Sequence, residues 1–188
     1  MNSMSKLKIA ILFGGRSGEH EVSIASATSV FQALDKNKYD VTLVGIDKQG
    51  RWLLPDESAL LAQSANPRLF KLNGSETSVS PVPFQTANQL ISINGNNSNS
   101  HSFDVVIPIL HGTYGEDGTI QGLLELTQIP YVGSGVLGSA VGMDKDVSKR
   151  LLKTANIPVV PSVTLRSNDF KANGAQLIEN CIEKLGLP

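Results

Sequence analysis

The sequence predicts an α/β protein built on an open, mainly parallel sheet with helices on both faces. Two observations carry this expectation. An apolar run, a glycine-rich turn, a helically spaced stretch and a second apolar run follow one another between Lys6 and Asp47. A strand, a glycine joint and a helix follow again from Phe103 to Thr127. Strands alternating with helices in this way build parallel units whose crossovers are right-handed. Beyond residue 143 only one strand and two helices are expected, too little to enclose a core, so the organisation reads as residues 1–142, a first α/β domain, and residues 143–188, the opening of an incomplete second one.

Taken in order, "KLKIAILF" (Lys6 to Phe13) reads as a buried strand and "GGRSGEHE" as a turn into a helix. That helix carries Val22, Ala25, Val30, Phe31 and Leu34 near helical spacing and stops around Asp35 to Asn37. "YDVTLVGID" (Tyr39 to Asp47) is the second strand, and "KQGRWLL" a turn into a short one. From Pro55 to His101, pieces such as "ANPRLF", "KLNGSETSVSPVPF" and "QLISI" offer extended segments and turn signals without a clear period. "NGNNSNSH" (Asn94 to His101) is a polar loop tip. Regular order resumes with the strand Phe103 to Leu110, a helix from about Thr119 to Thr127, the short strand "IPYVGS" and a compact helical turn in "GVLGSAVGM". Val147, Leu151, Leu152 and Ala155 mark one face of a helix between Asp144 and Asn156. Ile157 to Leu165 reads as a linker and strand, and Gly174 to Gly186 as a final helix with a C-terminal glycine, followed by an X-Pro step.

Composition narrows the function classes. With 40% hydrophobic and 18% charged residues and a net charge of −1, the chain has a globular balance and no basic field for nucleic acid or an anionic membrane. The longest early apolar run, "IAILF", is too short for a signal peptide or a membrane span, which predicts a cytoplasmic protein. Cys181, the single cysteine, has no disulfide or metal partner in its neighbourhood and reads as a small apolar filler.

In open α/β sheets, ligands bind beyond the carboxyl ends of the strands, where connections diverge to opposite faces. "GGRSGEHEVS" and "HGTYGEDG" both have that address. If their strands are neighbours, Glu19 and His111 face one crevice. Glu19 and Glu21 also suit a plainer role, as first-turn acids complementing a helix dipole, and His111 alone suits a hydrogen-bonded structural histidine. Lys145 stands at a helix start, where the dipole favours anions. A phosphate beside it, or merely a solvated charge flanked by aspartates, satisfies that pattern. Tyr114, Glu116 and Asp117 lie among glycines, where such side chains bond their own backbone, and no metal-ligand spacing occurs among them. A dinucleotide fingerprint is a rival for the first joint, but the G-x-G-x-x-G spacing is missing and Asp47 lies too far on for the ribose acid.

Three stretches together, "LFGGRSGEHEVSIASA", "HGTYGEDGTIQGLLELTQIPYVGSGVLGSA" and "MDKDVSKRLLKTANIPV", resemble the N-terminal half of D-alanine–D-alanine ligases of the ATP-grasp superfamily. The likeness runs from about Lys8 to Pro188, loosely over Pro55 to Ser102. It implies a Rossmann-like first domain followed by the beginning of an ATP-grasp domain. It further implies an enzyme that phosphorylates one D-alanine with ATP and joins it to a second for peptidoglycan synthesis. By the resemblance Glu19 binds the ammonium of the first D-alanine, Val22 and Ser23 line the same pocket, His111 sits near that substrate and Glu19, and Lys145 contacts ATP phosphates. Mg2+ ligands, a second phosphate lysine and a closing serine loop would lie beyond residue 188, so the chain is expected to be inactive alone. The resemblance also implies a homodimer. Alternatives are a D-alanine–D-lactate depsipeptide ligase, a non-catalytic dimerisation or binding module, and an NAD-binding domain.

Overall fold

The strand β1 (Leu7–Gly14) is apolar and buried from Ile9 onward because both of its faces are covered there. Ile9, Ile11 and Phe13 pack against Ile24, Ala27 and Phe31 of α1 (His20–Ala33), together with Leu43. Ala10 and Leu12 turn the other way, into a cluster with Ile120 and Leu124 of α2 (Thr119–Thr127) and with Ile129. One helix therefore covers each face. The wholly buried Ile11, Leu12 and Phe13 each contribute about 1.5–3 kcal/mol of burial. This computed structural model describes residues 5–57, 72, 77–83, 85, 89–93 and 100–186. The expected segment "ANPRLF", half of "KLNGSETSVS", the polar tip up to Asn99 and the closing X-Pro step lie outside the described residues.

The chain divides into two compact units, Met1–Met143 and Asp144–Pro188. Among the described residues the first unit holds a sheet of 7 strands in the order β6-β5-β4-β3-β2-β1-β7. β2 is Tyr39–Ile46, β3 Trp52–Leu54, β4 Thr77–Pro81, β5 Leu90–Ser92, β6 Ser100–His101 and β7 Val105–Leu110. β1 runs parallel to both β2 and β7, in a register that pairs Gly14 with Ile46 on one side and with Leu110 on the other. The α/β class and the helices on both faces hold, but the sheet is mixed rather than mainly parallel. From β2 to β6 each successive pair is antiparallel. The turn between β2 and β3 shows why: Asp47 accepts from the Gln49 and Arg51 amides, both at 2.9 Å, which closes a reversal far too short for a crossover.

The expected strand "IPYVGS" is reduced to a parallel bridge between Val106 and Tyr131, in which the Val132 amide donates to the Val106 carbonyl. "GVLGSAVGM" forms α3 (Val136–Met143), none of whose residues is buried.

In the second unit α4 spans Lys145–Thr154 and α5 spans Ser167–Leu185, again without a buried residue. Ile157 to Leu165 forms no strand. Pro158 and Pro161 lack the amides a ladder needs, and Thr164 uses its hydroxyl to bond Asp146 at 2.7 Å. α5 begins earlier than the sequence predicts and is broken at Asn173 (φ −141°, ψ 41°), next to the expected start at Gly174.

Candidate active site

Because β1 and β7 are neighbours, the two glycine joints lie side by side at their carboxyl ends. The connection after β1 enters α1 on one face, and that after β7 enters α2 on the other. This is the divergence at which open sheets form a crevice. Two glycines shape it. Gly14 has φ +89°, and a side chain there would collide with the Ile46 carbonyl. Gly112 has φ +69°, and a Cβ on it would sit 2.8 Å from Oε2 of Glu19. The Glu19 carboxylate is therefore packed over the backbone of the second joint.

That contact answers what Glu19 does locally. Its backbone stands at the N-cap of α1, where its carbonyl accepts from the Ser23 amide at 3.0 Å, yet its side chain makes no capping hydrogen bond. The carboxylate is exposed and directed at the crevice. Glu21 is engaged elsewhere: Lys48 donates to it at 2.6 Å, and this bond is the main reason its carboxyl lies below the ordinary value.

Ser17 ties the joints together. Its hydroxyl donates to the His111 carbonyl at 2.7 Å, and the same hydroxyl oxygen accepts from the Glu19 amide at 3.1 Å. His111 is half-buried, with Nε2 3.2 Å from Ser26 Oγ and Nδ1 4.0 Å from Glu116 Oε1. Glu116 and Asp117 shape their own turn. The Gly112 amide donates to Glu116 at 2.7 Å, and Asp117 accepts from the Tyr114 and Thr119 amides at 2.9 and 3.0 Å. Burial opposes ionisation of Asp117, but the bonds from Thr119 and Tyr114 outweigh it and hold its carboxyl below the usual range.

Two sequence-predicted residues, Ser23 and Val22, differ in exposure. Ser23 is wholly buried, because its hydroxyl bridges inward, accepting from the Gly14 amide at 2.7 Å and donating to the Ile109 carbonyl. It clamps α1 to the ends of β1 and β7, a fold-building role. Val22, the preceding residue of the same turn, is 53% exposed. A cavity of about 330 Å³ opens next to the joints, lined in part by Gly15, Arg16, Trp52, Leu110, His111 and Tyr114. Of the predicted site residues only His111 borders it.

Lys145, in the second unit, is the first residue of α4. The expected free amides are partly taken, since Asp144 accepts from the amides of Asp146 and Val147, both at 3.0 Å. A phosphate meeting Lys145 would rely on its ammonium more than on those amides. Among the described residues no group of three or more His, Cys, Asp or Glu side chains is arranged to hold a metal ion, and no helix is long and apolar enough to cross a membrane.

Several contacts have no counterpart in the residue pattern. Tyr114 adopts φ +64° without being glycine, with the Arg16 guanidinium 4.9 Å above its ring. Buried His20 donates from Nδ1 to the Gly15 carbonyl at 2.7 Å, bracing the first joint. Ser26 had a usable signal: it stands seven residues after Glu19, on the same side of α1.

Similarity to known proteins follows the same geography. A family model for the D-ala D-ala ligase N-terminus matches residues 8–134. A D-alanine–D-alanine ligase of Oceanobacillus iheyensis is 45% identical over 183 residues, covering 97% of this chain and 49% of the relative. Among solved structures, the D-alanine–D-alanine ligase of Coxiella burnetii matches with a TM-score of 0.79 and 39% identity over 94% of this chain and 49% of that one. The VanG D-Ala:D-Ser ligase of Enterococcus faecalis matches with a TM-score of 0.75 and 34% identity, over 94% of this chain and 50% of that one. The chain spans about half the length of the curated relatives it matches.

Proposed function

Because the chain belongs to the D-alanine–D-alanine ligase family, whose N-terminal model covers most of its first unit, we propose that it supplies the first-substrate side of an ATP-dependent ligase. In that reaction the carboxylate of one D-alanine attacks the terminal phosphorus of ATP, and ADP leaves. The amine of a second D-alanine then attacks the acyl carbon, loses a proton and expels phosphate. The product, D-alanyl-D-alanine, serves peptidoglycan synthesis in the cytoplasm.

In this reading Glu19 binds the ammonium of the first D-alanine, giving a fixed charge opposite a fixed charge. Val22 borders the same pocket, Ser23 holds the helix that carries both, and His111 flanks the substrate. Lys145 offsets charge on the transferring phosphate. Its place at the start of α4 fits that task through the ammonium, the neighbouring amides being held by Asp144. The Mg2+ used with ATP would draw its acids from the half of the relatives' length that this chain does not span. We propose further that the chain alone does not turn over, and that the intact enzyme is a homodimer.

One observation carries the proposal: the Glu19 carboxylate lies against Gly112, so a group from the first joint faces the second across adjacent strands. The likeness to a D-Ala:D-Ser ligase favours a second reading with the same first substrate and a different second one. Phosphate release by the longer protein containing this chain tests both. Release with D-alanine alone supports the first reading. Release only when D-serine or D-lactate is added supports the second, and release with none of these mixtures refutes the ligase assignment.

A further inference from the structure

We propose that Ser26 is a positioning residue for His111, holding its imidazole in one tautomer and one ring plane at the edge of the first-substrate pocket. The inference rests on the reading of that pocket given above. α1 carries Glu19 at its N-cap and Ser26 two turns on, so both stand on the side of the helix that meets the second joint.

The ring nitrogens face oxygens of different capacity. Nδ1 is 4.0 Å from Oε1 of Glu116, and Nε2 is 3.2 Å from Oγ of Ser26. A carboxylate only accepts, whereas a hydroxyl both donates and accepts. A proton on Nδ1 points at an acceptor, leaving the Nε2 lone pair to accept from Ser26. The opposite tautomer aims a lone pair at a carboxylate. Glu116 is itself held, because its other oxygen accepts from the Gly112 amide at 2.7 Å. The His111 backbone is fixed as well, through the Ser17 hydroxyl on its carbonyl at 2.7 Å. With the backbone fixed and Glu116 at 4.0 Å, beyond hydrogen-bond reach of Nδ1, the Ser26 hydroxyl at 3.2 Å is the hydrogen bond that sets the ring plane. A hydroxyl on a ring nitrogen directs orientation more than it adds stability.

Nitrogen-15 NMR of the histidine rings in this 188-residue chain tests the geometry without requiring turnover. The chain holds 3 histidines, so His111→Gln assigns the ring signals by difference. The expected pattern is a protonated Nδ1 and a hydrogen-bonded, unprotonated Nε2. Ser26→Ala shifts the pattern toward the other tautomer, and Ser26→Thr restores it. Alanine favours helix, so an unchanged or raised urea midpoint accompanies the shift. In the longer protein, Ser26→Ala raises the KM for the first D-alanine roughly three- to tenfold, leaves the KM for ATP in place, and Ser26→Thr recovers it. Ring signals identical in wild type and Ser26→Ala overturn the proposal. Altered ring signals with unchanged D-alanine constants leave the Ser26–His111 coupling standing and remove His111 from the substrate pocket.

Discussion

Replacing Ser23 by alanine separates a pocket-lining residue from a structural clamp. The hydroxyl is wholly buried and serves two backbone groups, the Gly14 amide and the Ile109 carbonyl. Deleting it leaves both without that partner where water has no access, at about 1–3 kcal/mol for each unsatisfied group. Alanine returns roughly 0.5 kcal/mol through helix propensity. The expected net loss is therefore about 1.5–5.5 kcal/mol, to be set against the ~5–15 kcal/mol that holds a typical domain. Urea unfolding followed by circular dichroism should show a midpoint lowered by roughly 1 M or more at unchanged slope. A loss below about 0.5 kcal/mol, within the range of an ordinary surface substitution, would refute the clamp.

Other substitutions probe the site in the intact enzyme. Glu19→Gln should leave folding intact and cost about 1.5–3 kcal/mol of D-alanine recognition, roughly 10- to 150-fold in kcat/KM; steady-state kinetics in D-alanine at saturating ATP checks it. Gly112→Ala meets both a left-handed φ of +69° and the Glu19 oxygen. It should cost about 1–2 kcal/mol of stability and raise the D-alanine KM beyond what that loss explains, read by urea melts beside kinetics. Lys145→Ala should raise the KM for ATP while sparing that for D-alanine, and unaltered nucleotide kinetics would mark Lys145 as a surface charge. Acid titration of stability addresses Asp47. Burial opposes its ionisation, but bonds from Arg51 and Gln49 prevail, holding its carboxyl below the usual value. Its contribution is thus complete above the unfolded carboxylate value near pH ~4 and disappears as pH falls through the depressed one. Asp47→Asn should flatten that acid limb of the stability curve.

The frame around the site was legible because its signals are local. A run such as Ile9 to Phe13 is apolar at every position only if both faces are covered, and Gly14 and Gly112 announce backbone angles other residues avoid. The adjacency of β1 and β7 was only conditional in the sequence, since strand order depends on long-range pairing. The short strand expected in "KQGRWLL" is β3, but β4 to β6 are only 2 to 5 residues long, too short for a period to stand out, so the extent of the antiparallel part is not legible in the sequence. Ser23 illustrates the opposite difficulty. A serine in a helix's first turns reads as a surface residue or a pocket wall until the Ile109 carbonyl is known to lie beside it. The contacts of His111 with Ser26 and Glu116 join residues distant in sequence or folded back through a turn, and Tyr114 takes a left-handed angle no residue type advertises.

Asp47 bears on the dinucleotide alternative. Its oxygens accept from the Gln49 amide and from both the amide and Nε of Arg51, the last at 2.6 Å. An acid committed in this way is poorly suited to holding a ribose. The Glu19 carboxylate, uncapped and turned toward Gly112, remains suited to an ammonium.

The proposed role of Glu19 depends on where the first substrate's ammonium rests. A crystal structure of the longer protein bound to D-alanine and a non-hydrolysable ATP analogue tests it most directly. The account predicts that nitrogen within about 2.6–3.2 Å of a Glu19 oxygen, beside His111. An ammonium held by other groups, with Glu19 facing only solvent, would contradict it.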